Sequence, residues 1–285
     1  MSVKYGESME LNELNRRTLS PDGKEQMPVL FVGHGSPMNA IGDNEFVQGW
    51  EEAVKSIPEP TAILCISAHW ETGGTSVTAM EKPLTIHDFG GFPQELYEVQ
   101  YPAPGNPELA KEVKSIVSKT EVGLDEKWGL DHGCWSVMRR MYPAADIPVI
   151  QLSLDYSKPA RYHYDLAGEL LSLRKKGILI IGSGNIVHNL QLVDWNNIDT
   201  PGVGFDWAIE ANEKMKKLIL SNNHKALIDY QSQGKAFDLA IPTPEHYLPL
   251  LYILALKQQG EKVSFFNDKA VAGSLSMTSV KIGKA

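Results

Sequence analysis

Cysteine is scarce in this sequence. The 285 residues include only Cys65, in an apolar run typical of a strand, and Cys134, which follows a glycine. Two scattered cysteines provide neither a disulfide framework nor a cysteine-based zinc cluster. A protein that uses so little cysteine is expected in a reducing compartment.

Long apolar runs and an excess of positive charge are also missing. The most apolar stretch, residues 177–182, is far too short to cross a membrane, and the first residues are too polar for a signal segment. Acidic residues outnumber basic ones by 35 to 27, for a formal net charge of −8. This balance argues against a nucleic-acid-binding face and against a polybasic membrane patch. We therefore expect a cytoplasmic protein with neither nucleic-acid nor membrane partners.

Short apolar runs alternate with helical periodicity from residue 28 onwards. Strands are predicted at residues 29–32, 62–67, 76–80, 149–154, 178–181, 263–266 and 274–281. Helices are predicted at residues 44–56, 107–118, 134–141, 159–175, 206–220, 225–231 and 243–257. This alternation favours an α/β fold with a mostly parallel central sheet and helices on both faces. Residues 28–285 are interpreted as one domain. Residues 1–27 are polar and are interpreted as an N-terminal arm with one short helix at 9–19.

Histidines follow three of the predicted strands. His34, His69 and His188 come almost directly after apolar runs, His246 opens a predicted helix, and His132 lies in a glycine-flanked turn. Ligands bind beyond the carboxyl ends of strands in α/β sheets, so these side chains can converge. Three imidazoles can hold zinc or iron and leave a position open for substrate, while a further histidine acts as acid or base. Spacing alone leaves open that each is an ordinary hydrogen-bonded residue.

The other histidines have less distinctive surroundings. His163 and His224 lie among polar residues on predicted helices, so we expect them to face solvent and to have no functional role. His87 belongs to a long loop, residues 85–101, that is interrupted by glycines and a proline. Long loops in compact domains are often functional, although His87 could equally brace this one.

Two glycine-containing turns, at residues 33–36 and 182–185, follow predicted strands. Neither completes GxGxxG or a P-loop, so phosphate binding is the weaker interpretation. Glycine here more simply lets the chain turn sharply beside a histidine. Ser36 is not part of a GxSxG sequence, which disfavours a serine hydrolase.

Six motifs occur in a characteristic order. They are GHGSPMN at 33–39, SAHW at 67–70, IHDFGGFP at 86–93, DHG at 131–133, GSGN at 182–185 with His188-Asn189 behind it, and TPEHYLP at 243–249. Together they resemble the class III extradiol ring-cleavage dioxygenases, most closely the bacterial 4,5-DOPA extradiol dioxygenases. The resemblance runs from residue 28 to the C-terminus and excludes the arm.

The resemblance implies an oxidoreductase with one divalent metal per chain. Fe(II) is expected for catalysis, and Zn(II) is a second ion that members hold. His34 and His69 match the first two ligands. The third is expected to be His246, with Glu245 as the alternative, because the wider superfamily uses a glutamate there. His188 matches the acid–base histidine and is also a candidate ligand.

The implied substrates are a catechol and O2. Ring opening beside the diol would turn a DOPA-like catechol into a muconic semialdehyde of the seco-DOPA type. In the implied mechanism, His188 takes a phenolic proton from the catechol. His132 forms a hydrogen bond to oxygen or to the substrate. Ser36 and His87 are predicted to contact the substrate, and the loop at 85–93 is predicted to wall its pocket. A zinc hydrolase and a non-catalytic binding protein are the alternatives. Neither the physiological catechol nor the oligomeric state is predicted.

Overall fold

The apolar runs of the sequence become the strands of a central sheet. The computed structural model describes residues 26–198 and 200–284. The predicted helix at 9–19 lies outside the described residues. The strands are β1 (Val29–Gly33), β2 (Ala62–Ser67), β3 (Glu71–Thr72), β4 (Thr75–Thr78), β5 (Val122–Asp125), β6 (Val149–Gln151), β7 (Leu154–Asp155), β8 (Ile178–Gly184), β9 (Lys262–Phe266), β10 (Ala270–Val271), β11 (Leu275–Ser276) and β12 (Ser279–Gly283).

Helices connect the strands and cover the sheet. They are α1 (Glu45–Lys55), α2 (Gln94–Tyr97), α3 (Pro107–Ile116), α4 (His132–Met141), α5 (Ala160–Glu169), α6 (Asp206–Leu220), α7 (His224–Ile228), α8 (Lys235–Ala240) and α9 (Leu248–Ala255). Short 3₁₀ segments cover Pro37–Ala40, Leu170–Lys176, Leu190–Leu192, Trp195–Asn197 and Tyr230–Ser232. Among the described residues, no helix combines the length and the apolar character needed to span a membrane.

The central sheet is mixed, so the expectation of a mostly parallel sheet is wrong. Its strand order is β6-β2-β8-β1-β12-β9. The first four strands pair in parallel, whereas β12 runs antiparallel to both β1 and β9. A parallel connection needs a crossover, usually a helix. No helix separates β9 from β12, only the small β10–β11 ribbon, and the chain therefore returns antiparallel.

The sheet buries side chains on both of its faces. Val29 and Phe31 point into one apolar cluster, and Leu30 and Val32 point into the other. Helices α3, α5, α6 and α9 contribute to the first cluster, and α1 and α4 to the second. Because successive strand residues face opposite ways, continuous apolar strands require cover on both sides. Residues 26–198 and 200–284 accordingly form a single α/β domain.

Helix α9 begins later than the sequence pattern predicts. The expected helix started at residue 243, but α9 begins at Leu248, and His246 lies in the preceding turn. Pro249 explains the difference. Proline lacks a backbone N–H and fits the first turn of a helix, whereas a start at 243 would place it in the interior. His246 therefore sits on a turn that packs against the end of β8.

The expectation that His163 faces solvent is wrong. His163 is 0% exposed, and its Nδ1 lies 3.1 Å from the hydroxyl of Tyr252 in α9. It precedes the buried Leu166 and Ala167 by three and four residues, so all three share the inner face of α5. His224 is half-buried, with its Nδ1 2.8 Å from the hydroxyl of Tyr164.

Burial of His163 makes stability depend on pH. Burial lowers its pKa from 6.5 to about 4. Between these two pH values the imidazole of His163 is protonated in the unfolded chain but not in the folded protein. The contribution of the neutral, buried His163 to stability is therefore complete above pH 6.5 and is lost as the pH falls towards 4. The free energy of unfolding can be measured with urea on the metal-free protein. As the pH falls from 6.5 to about 4, we expect this free energy to decrease less for His163→Gln than for the unmodified protein, by up to about 3 kcal/mol. Parallel pH profiles would contradict this.

Candidate metal centre

Five histidines converge beyond the carboxyl ends of the parallel strands. The distances between ring centroids are 4.9 Å for His34–His69, 5.2 Å for His34–His246 and 5.0 Å for His69–His246. His132 lies 3.8 Å from His69, and His188 stacks on His246 at 3.5 Å. The structure thus brings together the five histidines that the sequence analysis singled out.

Strand register explains why these side chains meet. In the parallel pairs, Gly33 is opposite Gly184, and Ser67 is opposite Ser183. Strands β1, β2 and β8 therefore end level with one another, and the residues that follow leave the sheet at one edge. His34 comes directly after β1, and His69 comes two residues after β2.

Gly184 lets the turn that carries His246 lie directly on β8. A Cβ atom at residue 184 would lie 2.1 Å from the carbonyl oxygen of His246. The next residue, Asn185, donates its backbone N–H to that same carbonyl oxygen at 3.0 Å. The turn beside His34 relies on Gly35 instead, which has a left-handed φ of 59°.

The two imidazoles of His34 and His69 face each other through their Nε2 atoms, 3.1 Å apart. Two nitrogens bound to one ion at 2.0–2.1 Å, at right angles or tetrahedrally, would be about 2.9–3.4 Å apart. His34 is 2% exposed, so its imidazole is shielded from bulk solvent. The donor set therefore fits a divalent transition metal.

The third side of the cluster contains His246 and Glu245. The Oε1 atom of Glu245 lies 3.2 Å from Nδ1 of His246 and accepts a hydrogen bond from the hydroxyl of Thr243 at 2.8 Å. His188, Glu245 and His246 each have a potential ligand atom within 4.8 Å of the others. A carboxylate on the far nitrogen of a histidine is the usual support for a metal ligand.

Asp88 contacts two of the histidines from the loop at 85–93. Its Oδ1 accepts the backbone N–H of His132 at 2.8 Å, and its Oδ2 lies 3.0 Å from Nδ1 of His132 and 3.7 Å from Nδ1 of His69. Burial alone would raise the pKa of Asp88, but the interactions with His132 lower it and prevail. The ring of Phe89 lies 5.5 Å from that of His132. This loop therefore borders the cluster.

Asp131 anchors the start of α4, which carries His132. Its side chain is 0% exposed, caps the helix through the N–H of Cys134 at 3.1 Å, and accepts hydrogen bonds from Ser67 at 2.6 Å and Gln151 at 3.0 Å. Burial raises the pKa of Asp131. These bonds tie α4 to the ends of β2 and β6, and so place His132 beside His69.

Four of the clustered histidines, His34, His69, His188 and His246, are held in their neutral form. Burial, followed by repulsion between the imidazoles, lowers the pKa of His34 and of His246 well below the usual range. Burial also lowers the pKa of His69 to about 3 and that of His188 to about 4. Neutral imidazoles have a free lone pair, which is the form that binds metals.

The two predicted substrate contacts have protein partners in this structure. His87 has its Nε2 3.0 Å from the carbonyl oxygen of Val99, and its ring packs near Phe89 and Trp135. Ser36 is exposed, and its hydroxyl accepts the N–H of Met38 at 3.3 Å, which caps a 3₁₀ segment. Both side chains therefore brace the backbone, and their contact with substrate stays a prediction.

Sequence reasoning missed Asp88, Asp131 and Ser183. Asp88 follows His87, and Asp131 precedes His132. Ser183 lies in the second glycine-containing turn, residues 182–185. For Asp88 and Asp131, an acidic residue beside a histidine was the available sign, whereas Ser183 has no histidine next to it in sequence. Which histidine each one supports depends on the packing of separate segments, and adjacency in sequence does not show it.

The chain matches the family described as the catalytic LigB subunit of aromatic ring-opening dioxygenase over residues 27–277. It belongs to the LigB family. The recognition made from the motifs is thereby confirmed, as is the expectation of an extradiol ring-cleavage dioxygenase. Membership in the LigB family selects this enzyme class over the zinc hydrolase and over the non-catalytic binding protein. An enzyme of this class acts on a small aromatic molecule and O2.

Curated relatives and a solved structure agree with the LigB assignment. The chain is 47% identical over 262 residues to the 4,5-DOPA dioxygenase extradiol of Escherichia coli K12, covering 90% of this chain and 95% of the relative. The Beta vulgaris enzyme of the same name is 36% identical over 262 residues, covering 88% and 95%. The crystal structure of an uncharacterized Escherichia coli K12 protein superposes with a TM-score of 0.78 at 42% identity, covering 90% of this chain and all of that one.

Proposed function

We propose that this dioxygenase holds one Fe(II) ion through His34, His69 and His246 and cleaves a DOPA-like catechol beside its diol. The observation that carries the proposal is the 3.1 Å approach of the Nε2 atoms of His34 and His69, with the His246 ring about equally far from both. The substrate class is taken from relatives named 4,5-DOPA dioxygenase extradiol. The product would be a muconic semialdehyde, of the seco-DOPA type for DOPA itself.

Fe(II) would supply the redox chemistry through which a catechol and dioxygen react, whereas Zn(II) fits the same imidazoles but does not change oxidation state. Histidine as the third ligand would replace the usual carboxylate of the two-histidine-one-carboxylate set. In this proposal Glu245 orients His246 by accepting a hydrogen bond at its Nδ1, and is not itself a ligand.

His188 is proposed as the group that takes a phenolic proton from the catechol. It stacks on His246 with an angle of 8° between the ring planes, and the proposal places it beside the three ligands. A neutral imidazole at this position can accept a proton from bound substrate and later return it, which is the work of a general base and acid. His188 also remains a candidate fourth ligand for Zn(II).

His132 is proposed to bind substrate or oxygen by a hydrogen bond, with Asp88 orienting its ring. The Oδ2 atom of Asp88 lies 3.0 Å from Nδ1 of His132. This contact favours the neutral tautomer with its proton on Nδ1, which leaves Nε2 free. The loop at 85–93 would wall the substrate pocket, and Phe89 would offer an aromatic surface to the catechol ring. Proximity of Asp88 and Phe89 to His132 supports this placement.

Oxygen uptake tests the proposal. The metal-free protein would be loaded anaerobically with Fe(II) or Zn(II) and then mixed with aerated buffer and a panel of catechols that includes DOPA. We expect uptake of one O2 per catechol only in the Fe(II) protein, with a product heavier than the catechol by one dioxygen molecule. Zinc-dependent ester hydrolysis without oxygen uptake would contradict the proposal. A role in aromatic catabolism follows from it, whereas the cytoplasmic location stays a prediction from cysteine usage.

A further inference from the structure

Ser183 joins the proposed ligand His34 to the helix that carries His132. Its side chain is 0% exposed, and its Oγ lies 3.0 Å from Nδ1 of His34 and 2.5 Å from the carbonyl oxygen of Gly133. We infer that Ser183 is a positioning residue that holds His34 in the tautomer with its proton on Nδ1. The Nε2 atom of His34 then faces the other histidines with a free lone pair.

A count of hydrogens supports this tautomer. A carbonyl oxygen can only accept, so the single hydrogen of the Ser183 hydroxyl points to Gly133. The short contact between Ser183 and His34 then requires the histidine to donate, and its Nδ1 must carry the proton. A neutral imidazole has only one N–H, so Nε2 of His34 is unprotonated. This is the atom that lies 3.1 Å from Nε2 of His69.

The fold leaves Ser183 little freedom to act otherwise. Residues 179, 181 and 183 alternate onto one face of β8, and Leu179 and Ile181 pack in the same cluster as α4. The Ser183 side chain therefore points towards the first turn of α4, where Gly133 lies. The cap formed by Asp131 fixes that turn. His34 itself is held by its backbone N–H, which donates to the carbonyl oxygen of Gly184 at 3.0 Å.

Loss of the hydroxyl should therefore affect metal binding before it affects folding. Without Ser183, Nδ1 of His34 has no designated partner, and the ring can carry its proton on Nε2, where it blocks coordination. Removal of a partner that orients a metal ligand typically lowers affinity about 10–100-fold. The inference relies on the proposed function only in treating His34 as a ligand.

The tautomer can be measured in the unmodified metal-free protein. Protein with ¹⁵N-labelled histidine would be studied by NMR, with the His34 resonances assigned by their loss in His34→Gln. We expect a protonated Nδ1 and an unprotonated Nε2. A His34 ring protonated on Nε2 would overturn the inference, and this result does not depend on whether any serine variant folds.

A pair of serine variants tests the consequence. Ser136 is a suitable control because it is 1% exposed, lies on α4, and its hydroxyl has no hydrogen-bond partner among the described residues. In Zn(II) titrations against a competing chelator, we expect Ser183→Ala to bind about 10–100-fold more weakly and Ser136→Ala to match the unmodified protein. Equal affinities for the two variants would overturn the role of Ser183.

The two readouts also separate this inference from the proposed function. Suppose that the metal-free protein has the expected His34 tautomer and binds Zn(II), but shows no catechol-dependent oxygen uptake after loading with Fe(II). That result would refute the proposed function and leave Ser183 in its role. If the unmodified protein cleaves catechols and Ser183→Ala retains full metal affinity, the proposed function is supported and the role of Ser183 is refuted.

Discussion

Replacing His34 by alanine is expected to strip the protein of its metal, whereas replacing His188 should leave the metal in place and abolish ring cleavage. Nε2 of His34 lies 3.1 Å from Nε2 of His69 within a buried cluster, so the loss of His34 removes a proposed ligand. His188 stands beside the three proposed ligands, so His188→Ala should keep the fold and the ion. It should lose the proton-transfer group, which is typically worth about 10²–10⁴-fold in rate.

Metal content and catechol-dependent oxygen uptake, measured on the same preparations, distinguish the two variants. His224→Ala is the matched control, since this half-buried histidine contacts Tyr164 and stands apart from the cluster; it should keep both metal and activity. If His188→Ala is as metal-free as His34→Ala, then His188 is chiefly a ligand. The acid–base role would then pass to His132.

A single methyl group at residue 184 should disable the site as well. Gly184→Ala would place a Cβ atom 2.1 Å from the carbonyl oxygen of His246, and backbone on both sides of that contact must move apart. The turn carrying His246 would shift away from β8, and a displacement of about 1 Å at a reacting centre can cost about 10²-fold in rate. Overpacking of this kind also destabilises a core by about 1–3 kcal/mol.

Gly168→Ala provides the comparison for Gly184→Ala. Gly168 lies in α5, and an added Cβ would meet nothing within 4 Å. Alanine is favoured over glycine in a helix, so this variant should be more stable by about 0.5–1 kcal/mol and fully active. Thermal unfolding, metal content and oxygen uptake would be compared for the pair. A Gly184→Ala protein with normal metal content would show that the His246 turn does not depend on this approach.

Much of the fold could be predicted because buried strands leave a plain pattern. The apolar runs at residues 29–32, 62–67 and 178–181 became the three central parallel strands. The antiparallel edge could not be recognised in the same way, because β9 is partly exposed and reads KVSFF, which does not reveal the direction of its neighbour. Direction depended on the connection from β9 to β12, which lacks a helix.

The candidate site was partly accessible to the same reasoning. Histidines after parallel strands must leave the sheet at one edge, so the sequence could indicate that His34 and His69 approach each other. The supporting oxygens could not be found, because Ser183 and Asp88 reach their histidines across 149 and 44 residues of chain. The burial of His163 could have been predicted from its helical spacing to Leu166 and Ala167, which lie on the same face of α5. Its polar neighbours in sequence obscured this pattern.

The long sequence separation within the site has a thermodynamic consequence. His34 and His69 are 35 residues apart in sequence. The other proposed ligand, His246, comes later in the sequence than β8, which is the last of the parallel strands in chain order. An unfolded chain therefore offers no local chelate, unlike a compact zinc-finger sequence. A metal that binds only the native state stabilises it by RT ln(1 + [M]/Kd), undiminished by binding to the unfolded chain. The melting temperature should thus rise steadily with free metal concentration, so that thermal shift alone ranks metals by their affinity for the folded enzyme.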